Sequence, residues 1–303
     1  LDSVWTHDGM LLQKSQQAPG MATGTLNTFN SRPIMVPSGN AFWIAGFDDT
    51  GGTSTKGRMC YKSTDYNPAN IVPLLKSDDL VGGIPVDRPS GIGFDFMVSD
   101  VNENYIQEVL LDTGSTANDG IIYLNGNILA RESEPAPNND NWDNFDRMVV
   151  NSSGSYAFSG DTDGNTGGDE FICYNGNLVI QEGDTIAGVE LVAGSSLSVL
   201  SINNTDRLIH QWSVNSVDTL FLTCNPLEPE TTSFKLMASG DTVDLDGDMI
   251  ADATITDLNA SGAASFGYWL ADDGFLYAEV DLDYGSGEIE AIIKLELPEC
   301  GPG

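Results

Sequence analysis

Two short hairpins of nearly the same sequence constrain the fold of this chain more than any other feature. IYLNGNILARE contains Asn125 and Gly126, and ICYNGNLVIQE contains Asn175 and Gly176. Asn-Gly is the preferred pair for a two-residue type I′ turn, because both central residues of that turn need positive φ. The hairpins lie about 50 residues apart, a period typical of repeat architectures. The chain is therefore expected to repeat one β-hairpin unit.

The same outline recurs along the rest of the chain. WTHDGMLLQKSQ, MCYKSTDYNPANIVPLLKSDD and LTCNPLEPETTSFKLMASGD are related hairpins with different turn lengths. Two further strands joined by a polar turn are found in VVNSSGSYAF and LSINNTDRLIHQW. Runs of β-branched and aromatic residues alternate with Gly, Asn, Asp and Ser, and long helical periodicity is absent. The sequence predicts an all-β chain.

Four strands in up-and-down order, followed by a connection to the next four, are the pattern of a β-propeller blade. We count five such units, which predicts one domain over residues 1–303, a five-bladed β-propeller of four-stranded antiparallel blades, with six blades as the alternative. Residues 1–16 form a hairpin with no strand pair before it. They are expected to complete the last blade and close the ring, or to pair with a neighbouring molecule.

Charge restricts the partners and the location of the protein. The chain has 45 acidic and 12 basic residues and a formal net charge of -33, so nucleic acid and anionic membranes are repelled. An acidic surface adapted to salt would carry the same excess. No apolar run reaches the roughly 18 residues that span a bilayer, so membrane insertion is not expected. A chain that starts at Leu1 fits removal of a signal peptide, which predicts an extracellular or cell-surface protein.

Four cysteines, without any Cys-x-x-Cys spacing, favour disulfides over a zinc site. Three pairings are possible. The preferred one is Cys224 with Cys300, because both follow predicted strands in the last two repeats.

Two stretches place oxygen-bearing side chains at relative positions 1, 3, 5 and 9, with glycine at position 4. In DLDGDMIAD these residues are Asp244, Asp246, Asp248 and Asp252. In DTDGNTGGD they are Asp161, Asp163, Asn165 and Asp169. This spacing lets one short loop wrap a hard cation, and Ca²⁺ is the expected ion. The backbone carbonyl of Ile250 is a further candidate ligand in the first stretch. The alternative for each stretch is a solvated acidic turn.

YNGNLVIQEGDTIAG followed by INNTDRL resembles the repeat of uncharacterised secreted bacterial β-propeller proteins, in which a hairpin, a Glu-Gly-Asp step and an Asn-rich turn recur. The resemblance implies a secreted propeller and supplies no catalytic residue. DLDGDMIAD is similar to the calcium loops of dockerins, thrombospondin type 3 repeats and FG-GAP blades. It departs from an EF-hand, which requires Gly and Glu where this chain has Met249 and Ile255. The similarity implies Ca²⁺ in a structural role.

Catalytic motifs are absent. His7 and His210 are the two histidines, and neither belongs to a nucleophile or metalloprotease signature. His210 alternates with apolar residues and is expected to be structural. Asp95 and Asp146 are embedded in apolar strands, where burial raises a carboxyl pKa. A polysaccharide-active glycoside hydrolase or lyase that uses carboxylates at the propeller centre is therefore the alternative function.

Tryptophans suggest how a partner is bound. Trp142 lies in the polar run NNDNWDNFD and is expected to contact a glycan, whereas Trp43, Trp212 and Trp269 lie in corresponding strands and are expected to pack as core. The predicted function is that of a secreted, non-catalytic, calcium-stabilised propeller. It would act in binding or assembly at the cell surface or extracellular matrix, with a glycan or another copy of itself, as in a filament, as partner.

Overall fold

The computed structural model describes residues 3–6, 9–29, 33–51, 55–65, 67–88, 90–258 and 268–301. In this part of the chain the regular structure is almost entirely β-strand, with a 3-10 turn at Pro68–Asn70 and a short helix, α1 (Pro229–Thr232). None of its helices is long and apolar enough to cross a membrane. The chain divides into two compact units, Leu1–Glu134 and Pro135–Gly303. The predicted all-β class is confirmed.

Strands of the first unit form two large antiparallel sheets and two hairpins. In chain order they are β1 (Ser3–Thr6), β2 (Gly9–Gln13), β3 (Thr25–Phe29), β4 (Ile34–Met35), β5 (Ala41–Asp48), β6 (Gly57–Ser63), β7 (Ile71–Lys76), β8 (Leu80–Val81), β9 (Ile84–Pro85), β10 (Ile92–Val98), β11 (Tyr105–Leu110), β12 (Gly120–Leu124) and β13 (Asn127–Arg131). β3, β5, β6 and β7 pair in that order, and β4 also pairs with β5. β10 to β13 pair sequentially. β1 pairs with β2, and β8 with β9.

Strands of the second unit form three large antiparallel sheets and one small hairpin. They are β14 (Trp142–Val150), β15 (Tyr156–Thr162), β16 (Glu170–Tyr174), β17 (Asn177–Gln181), β18 (Thr185–Ile186), β19 (Val189–Glu190), β20 (Ser196–Ile202), β21 (Leu208–Val214), β22 (Val217–Thr223), β23 (Ser233–Ala238), β24 (Thr242–Val243), β25 (Ala253–Leu258), β26 (Tyr268–Leu270), β27 (Phe275–Asp283) and β28 (Glu288–Glu296). β14 to β17 and β20 to β23 pair sequentially. In the third sheet β25 and β26 share one edge of β27, and β28 takes the other edge.

The predicted unit of four antiparallel strands in up-and-down order is present in the sheets β10–β13, β14–β17 and β20–β23. The last sheet differs, because β28 pairs only with β27 among the described residues. The described residues of segment 1–16 form the hairpin of β1 and β2. Closure of a ring by this segment stays a prediction, as does the number of blades.

The Asn-Gly hairpins form as the sequence predicts. Asn125 and Gly126 have φ values of 48° and 93°, and Asn175 and Gly176 have values of 47° and 82°. Positive φ at both central residues is the requirement of a type I′ turn. These turns join β12 to β13 and β16 to β17. Both predicted hairpins are confirmed.

A second kind of turn repeats after the last strand of a hairpin. In each case a side-chain oxygen accepts the backbone amide three residues earlier, which fixes the chain as it leaves the sheet. The donor and acceptor pairs are Gln13 and Gln16, Lys76 and Asp79, Gln181 and Asp184, and Ala238 and Asp241. The internal repeat in the sequence is therefore accompanied by a repeated hydrogen bond. Because this bond also follows β2, β2 corresponds to β7, β17 and β23, the last strands of their four-stranded units.

Amide side chains join successive sheets of the second unit. Asn151, in the turn before β15, donates its side-chain amide to the carbonyl of Asn203 at 3.0 Å. The backbone amide of Ser152 donates to the side chain of Asn204, which in turn donates to Asp272 at 2.8 Å. One polar turn thus hydrogen-bonds to the next, and the sheets are held in sequence.

The buried core includes two of the tryptophans that the sequence assigns to it. Trp43 and Trp212 are 1% and 0% exposed. The indole N–H of Trp212 donates to Nδ1 of His210, whose Nε2 lies 2.8 Å from the hydroxyl of Thr223. Burial lowers the pKa of His210 to about 3, so the imidazole is neutral. The predicted structural role of His210 is confirmed, and His7 lies outside the described residues.

Cysteine pairing follows the preferred prediction. Cys224 and Cys300 form a disulfide that spans 76 residues of sequence. Cys60 and Cys173 are buried free thiols, and burial raises the pKa of each to about 12. The Cys224–Cys300 bond of the preferred arrangement is therefore formed. Cys60 and Cys173 are not paired with each other and act as small core residues.

Candidate functional sites

The loop between β24 and β25, residues 244–252, gathers three carboxylates; we call it the aspartate loop. Asp244, Asp246 and Asp252 each offer one oxygen, and these oxygens lie within 4.8 Å of one another. Two oxygens bound to a single Ca²⁺ at 2.3–2.6 Å are at most about 5 Å apart, so the group fits one Ca²⁺. Asp248 accepts the backbone amide of Ile250, whose side chain is exposed.

Backbone amides hold the aspartate loop in shape. Both oxygens of Asp244 accept amides, from Gly247 and Met249, each at 2.7 Å. Asp252 accepts the amide of Leu245, also at 2.7 Å. These bonds lower the pKa of Asp244, because they favour its charged form. The donor set is all oxygen and anionic, which suits a hard cation.

The second predicted constellation is arranged differently. Asp161 lies on β15, and its carboxylate accepts the side-chain amide of Asn144. The carboxylate of Asp163 accepts the backbone and side-chain N–H groups of Asn141, at 2.7 and 2.8 Å. The carbonyls of Asn165 and Asp169 accept backbone amides within the same turn. This turn joins the paired strands β15 and β16, and hydrogen bonds within it already use these two carbonyls.

Asp161 instead meets Asp146 and Glu170; we call these three residues the strand cluster. One carboxylate oxygen from each lies within 4.8 Å of the others, and all three side chains are half-buried. They belong to the adjacent strands β14, β15 and β16. Asp161 and Glu170 are directly opposed across β15 and β16. Two like charges at such a position repel each other, so the cluster needs a proton or a cation.

A bulge brings the third carboxylate into the strand cluster. The register of β14 and β15 shifts between Phe145 and Met148, and Asp146 lies in this interval. Opposite Phe145 is Gly160, where an added Cβ would lie 1.9 Å from the carbonyl oxygen of Asn144. Only glycine fits there, since the obstacle is backbone. The close approach of the two strands thus depends on Gly160.

Burial dominates the electrostatics of the strand cluster. It raises the pKa of Asp146 and of Asp161, and raises the pKa of Glu170 to about 8. Glu170 also accepts the amide of Leu197 on β20, at 3.1 Å, which partly opposes the rise. The expectation that Asp146 has a raised pKa is confirmed. Asp95 lies on β10, and its side chain is outside the described residues.

Trp142 does not lie on the surface. It is 6% exposed and packs against Phe145, Phe158 and Phe171, with ring centroids 4.9–6.2 Å away. A ring enclosed by three phenylalanines has no free face for a sugar, so we assign Trp142 to the core of its sheet. Of the polar residues around it, residues 138–141 precede β14 and Asp143 is exposed.

Trp269 was expected in the core but is 71% exposed. It lies in register with Tyr277 on β27, which lies in register with Lys294 on β28. The ammonium of Lys294 is 3.7 Å from the centroid of the Phe275 ring. We call Trp269, Phe275, Tyr277 and Lys294 the aromatic face. The assignment of Trp269 to the core was wrong because Tyr268 and Leu270, its neighbours on β26, are the residues that point inward.

Carboxylates continue the same surface beyond the aromatic face. Glu279 and Asp281 follow Tyr277 at two-residue steps along β27, so they share its side of the sheet. Glu290 on β28 lies in register with Asp281, and its carboxyl raises the pKa of Glu279. This side of the last sheet therefore has an aromatic end and an acidic end.

No family model matches the chain, and no curated protein matches it. Solved structures with limited similarity include a GH43 β-1,3-galactosidase, 13% identical with a TM-score of 0.37 over 93% of this chain and 60% of that one. PorZ, a bacterial surface component of the type-IX secretion system of Porphyromonas gingivalis, is 11% identical with a TM-score of 0.37 over 92% of this chain and 41% of PorZ.

A hypothetical protein from Leishmania major is 10% identical, with a TM-score of 0.32 over 95% of this chain and 90% of that one. The chain spans less than two thirds of the length of the galactosidase and of PorZ. Similarities of this size establish neither the closed fold nor a function for this protein.

Proposed function

We propose that this protein is a secreted five-bladed β-propeller that binds a glycan at the cell surface or in the extracellular matrix and performs no catalysis. The aromatic face is the observation that carries the proposal. An indole that is 71% exposed, beside two half-buried aromatic rings, forms a platform on the solvent side of the last sheet. Exposed apolar groups that cluster in this way mark binding surfaces. The Cys224–Cys300 disulfide supports an oxidising, extracellular setting.

Chemistry of the surrounding surface restricts the glycan. The apolar C–H face of a sugar ring complements an aromatic ring, and its hydroxyls complement carboxylate acceptors such as Glu279 and Glu290. The net charge of -33 opposes polysaccharides that are themselves anionic. We therefore propose a neutral glycan as the ligand.

Binding is testable by affinity electrophoresis of the full chain in gels that contain neutral β-glucans, xylans or galactans. We expect retardation by at least one of them, and Trp269→Ala should weaken it by about tenfold or more, the usual loss at a central aromatic contact. Trp5→Ala is the matched control, because Trp5 is 67% exposed but lies on β1. Equal retardation of the Trp269→Ala variant and the wild type would show that the aromatic face is not the site.

Calcium has a structural role in the same proposal. Three converging carboxylates on one exposed loop repel one another, and Ca²⁺ in the aspartate loop would neutralise them and fix the connection between β24 and β25. Titration of EGTA-treated protein with CaCl₂ should raise the melting temperature. The rise should shrink in Asp246→Asn and persist in Asp273→Asn, where the exposed aspartate accepts one amide in a separate turn. An unchanged melting temperature in the wild type would contradict the calcium role.

A second copy of the chain is the other proposed partner. β28 is nine residues long and pairs on one side only within the described residues, and such an edge can accept a strand from another molecule. Light scattering of concentrated protein with Ca²⁺ distinguishes this from glycan binding. A monomer at all concentrations would remove self-association and filament formation from the proposal.

A hydrolase or lyase remains the alternative function, and the strand cluster favours it. Glu170, with a pKa of about 8, is protonated at neutral pH beside the carboxyl of Asp161, so an acid and a potential base are adjacent. Release of reducing ends or unsaturated products from a panel of polysaccharides, abolished in Glu170→Gln, would establish an enzyme. The absence of release across the panel would support the binding protein.

A further inference from the structure

We infer that Asp146, Asp161 and Glu170 form a second divalent-cation site, with Ca²⁺ as the ion, separate from the aspartate loop. Its three ligands come from β14, β15 and β16, so the ion would tie three adjacent strands of one sheet together. The oxygens lie within 4.8 Å of one another, inside the limit of about 5 Å for two ligands of one Ca²⁺. This inference does not depend on the proposed glycan binding.

A buried oxygen without a hydrogen-bond donor lies beside the strand cluster. Glu182 is 6% exposed. Its Oε1 accepts the amide of Gly194 at 2.7 Å, but its Oε2 is fully buried and has no hydrogen-bond partner among the described residues. The backbone amide of Glu182 donates to the carbonyl of Glu170 at 3.0 Å, so the two residues lie opposite each other beside the β16–β17 pair and their side chains are on the same side of the sheet. Burial raises the pKa of Glu182, and the neighbouring carboxyl of Asp169 raises it further. A buried carboxylate oxygen that accepts no hydrogen bond and has acidic neighbours is stabilised by a cation.

The segment 194–197 lies against Glu182 and Glu170 and contains a buried hydroxyl. Its two ends donate backbone amides, from Gly194 to Glu182 and from Leu197 to Glu170 of the strand cluster. Ser195 lies between these donors, is 3% exposed, and its hydroxyl has no hydrogen-bond partner in the described part of the chain. A hydroxyl and a carboxylate with free lone pairs are suitable additional ligands for Ca²⁺, which takes about 6–8 oxygens.

Positive charge from the protein does not balance the strand cluster. Arg147 is the nearby cation, and its guanidinium donates to the carbonyl oxygens of Ser198 and of Asp146. It lowers the pKa of Asp146 less than burial raises it. Besides Glu182, Asp169 also acts on the cluster with negative charge. The strand cluster and its neighbours therefore hold more negative than positive charge, and a divalent cation would neutralise the excess.

Ion counting separates the two sites. EGTA-treated full-length protein is titrated with CaCl₂ by isothermal calorimetry at pH 7.5. The double variant Asp246→Asn/Asp252→Asn, which disables the aspartate loop, should still bind about one Ca²⁺. Addition of Glu170→Gln to that background should remove this ion or weaken its binding by at least about tenfold. Glu190→Gln is the matched control, because Glu190 is exposed on β19, and it should leave the remaining ion in place.

Several outcomes would overturn the inference. One is a loop variant that binds no Ca²⁺ at millimolar concentration, and another is unchanged binding after Glu170→Gln. Tighter binding of Mg²⁺ than of Ca²⁺ would show that the ion is wrong. Circular dichroism checks that each variant is folded. If Glu170→Gln does not fold, Asp146→Asn in the same background takes its place, with the same expected loss. Because the loop is disabled in these variants, failure of the aspartate loop to bind Ca²⁺ does not affect the result.

Discussion

The aspartate loop and the strand cluster each bring three carboxylates within 4.8 Å of one another, but by opposite means. In the loop the carboxylates are exposed, lie within nine residues of sequence, and accept backbone amides that lower the pKa of Asp244. In the cluster they are half-buried, come from three strands, and burial raises the pKa of all three. Backbone amides stabilise the charged form of Asp244 in the aspartate loop, whereas burial favours the protonated form of the carboxyls in the strand cluster.

The difference teaches how one chain with a net charge of -33 tolerates close carboxylates. A loop in water can supply one backbone N–H per carboxylate oxygen and leaves the rest of the charge to solvent. A sheet has already used its amides for strand pairing, so its side chains must find protons, cations or rare amides such as that of Leu197. A cation therefore competes with solvent in the loop and with protons in the cluster.

Two glycine substitutions should give the largest contrast. Gly160→Ala places a Cβ against the backbone oxygen of Asn144 and should destabilise the protein by more than about 3 kcal/mol, because the bulge of the strand cluster cannot form. Gly247→Ala in the aspartate loop meets no atom within 4 Å and costs only the positive φ of 83°, about 1 kcal/mol. Urea unfolding of both variants measures the difference. Similar losses would mean that the bulge is not rigid.

A smaller contrast is expected in the pH dependence of stability without metal. The pKa of Glu170 rises from 4.5 to about 8 on folding, so the folded state binds more protons between these values. Its contribution is complete below about pH 4.5 and is lost as the pH rises to about 8, with a slope of at most about 1.4 kcal/mol per pH unit. Glu170→Gln should remove this slope from the wild-type profile.

Asp244→Asn is the matched control for that experiment. Its pKa is lowered from 3.8, so its contribution is present above that value and is lost only as the pH falls further. Between pH 5 and 8 the profile of this variant should run parallel to that of the wild type. His210, with a pKa of about 3, adds an opposite slope below pH 6.5 to every variant, so only differences between profiles are compared. Parallel profiles for Glu170→Gln and the wild type would contradict the electrostatic description of the cluster.

Met249→Gly should give the smallest effect. Met249 has a φ of 68°, a left-handed conformation that glycine adopts without strain, at the loop position where an EF-hand has glycine. The substitution should stabilise the folded loop by about 0.5–1 kcal/mol and tighten Ca²⁺ binding by up to about fivefold. Calorimetry against Met10→Gly, on β2, provides the comparison. Weaker Ca²⁺ binding in Met249→Gly would show that the loop does not use this conformation when it holds the ion.

Local signals in the sequence were sufficient where all interacting residues are neighbours in the chain. The Asn175-Gly176 turn and the oxygen spacing of the aspartate loop depend on a few consecutive residues. The turn forms as predicted, and three of the four spaced aspartates, Asp244, Asp246 and Asp252, converge. Glu170 was missed because it stands alone before the apolar run FICY, with no motif around it. Its position opposite Asp161 would have identified it, but that pairing can be predicted only if the length of the β15–β16 turn is known.

By itself, the sequence determined the all-β class, the repeated hairpins, the Cys224–Cys300 preference and the loop that could hold a cation, because strand periodicity and turn chemistry are local. Tertiary structure decided which side chains share a face. Successive residues of a strand point to opposite sides, so a register shift of one residue exchanges inside and outside. That is why Trp142 is enclosed and Trp269 exposed, and why a bulge opposite Gly160 brings Asp146 to Asp161 and Glu170.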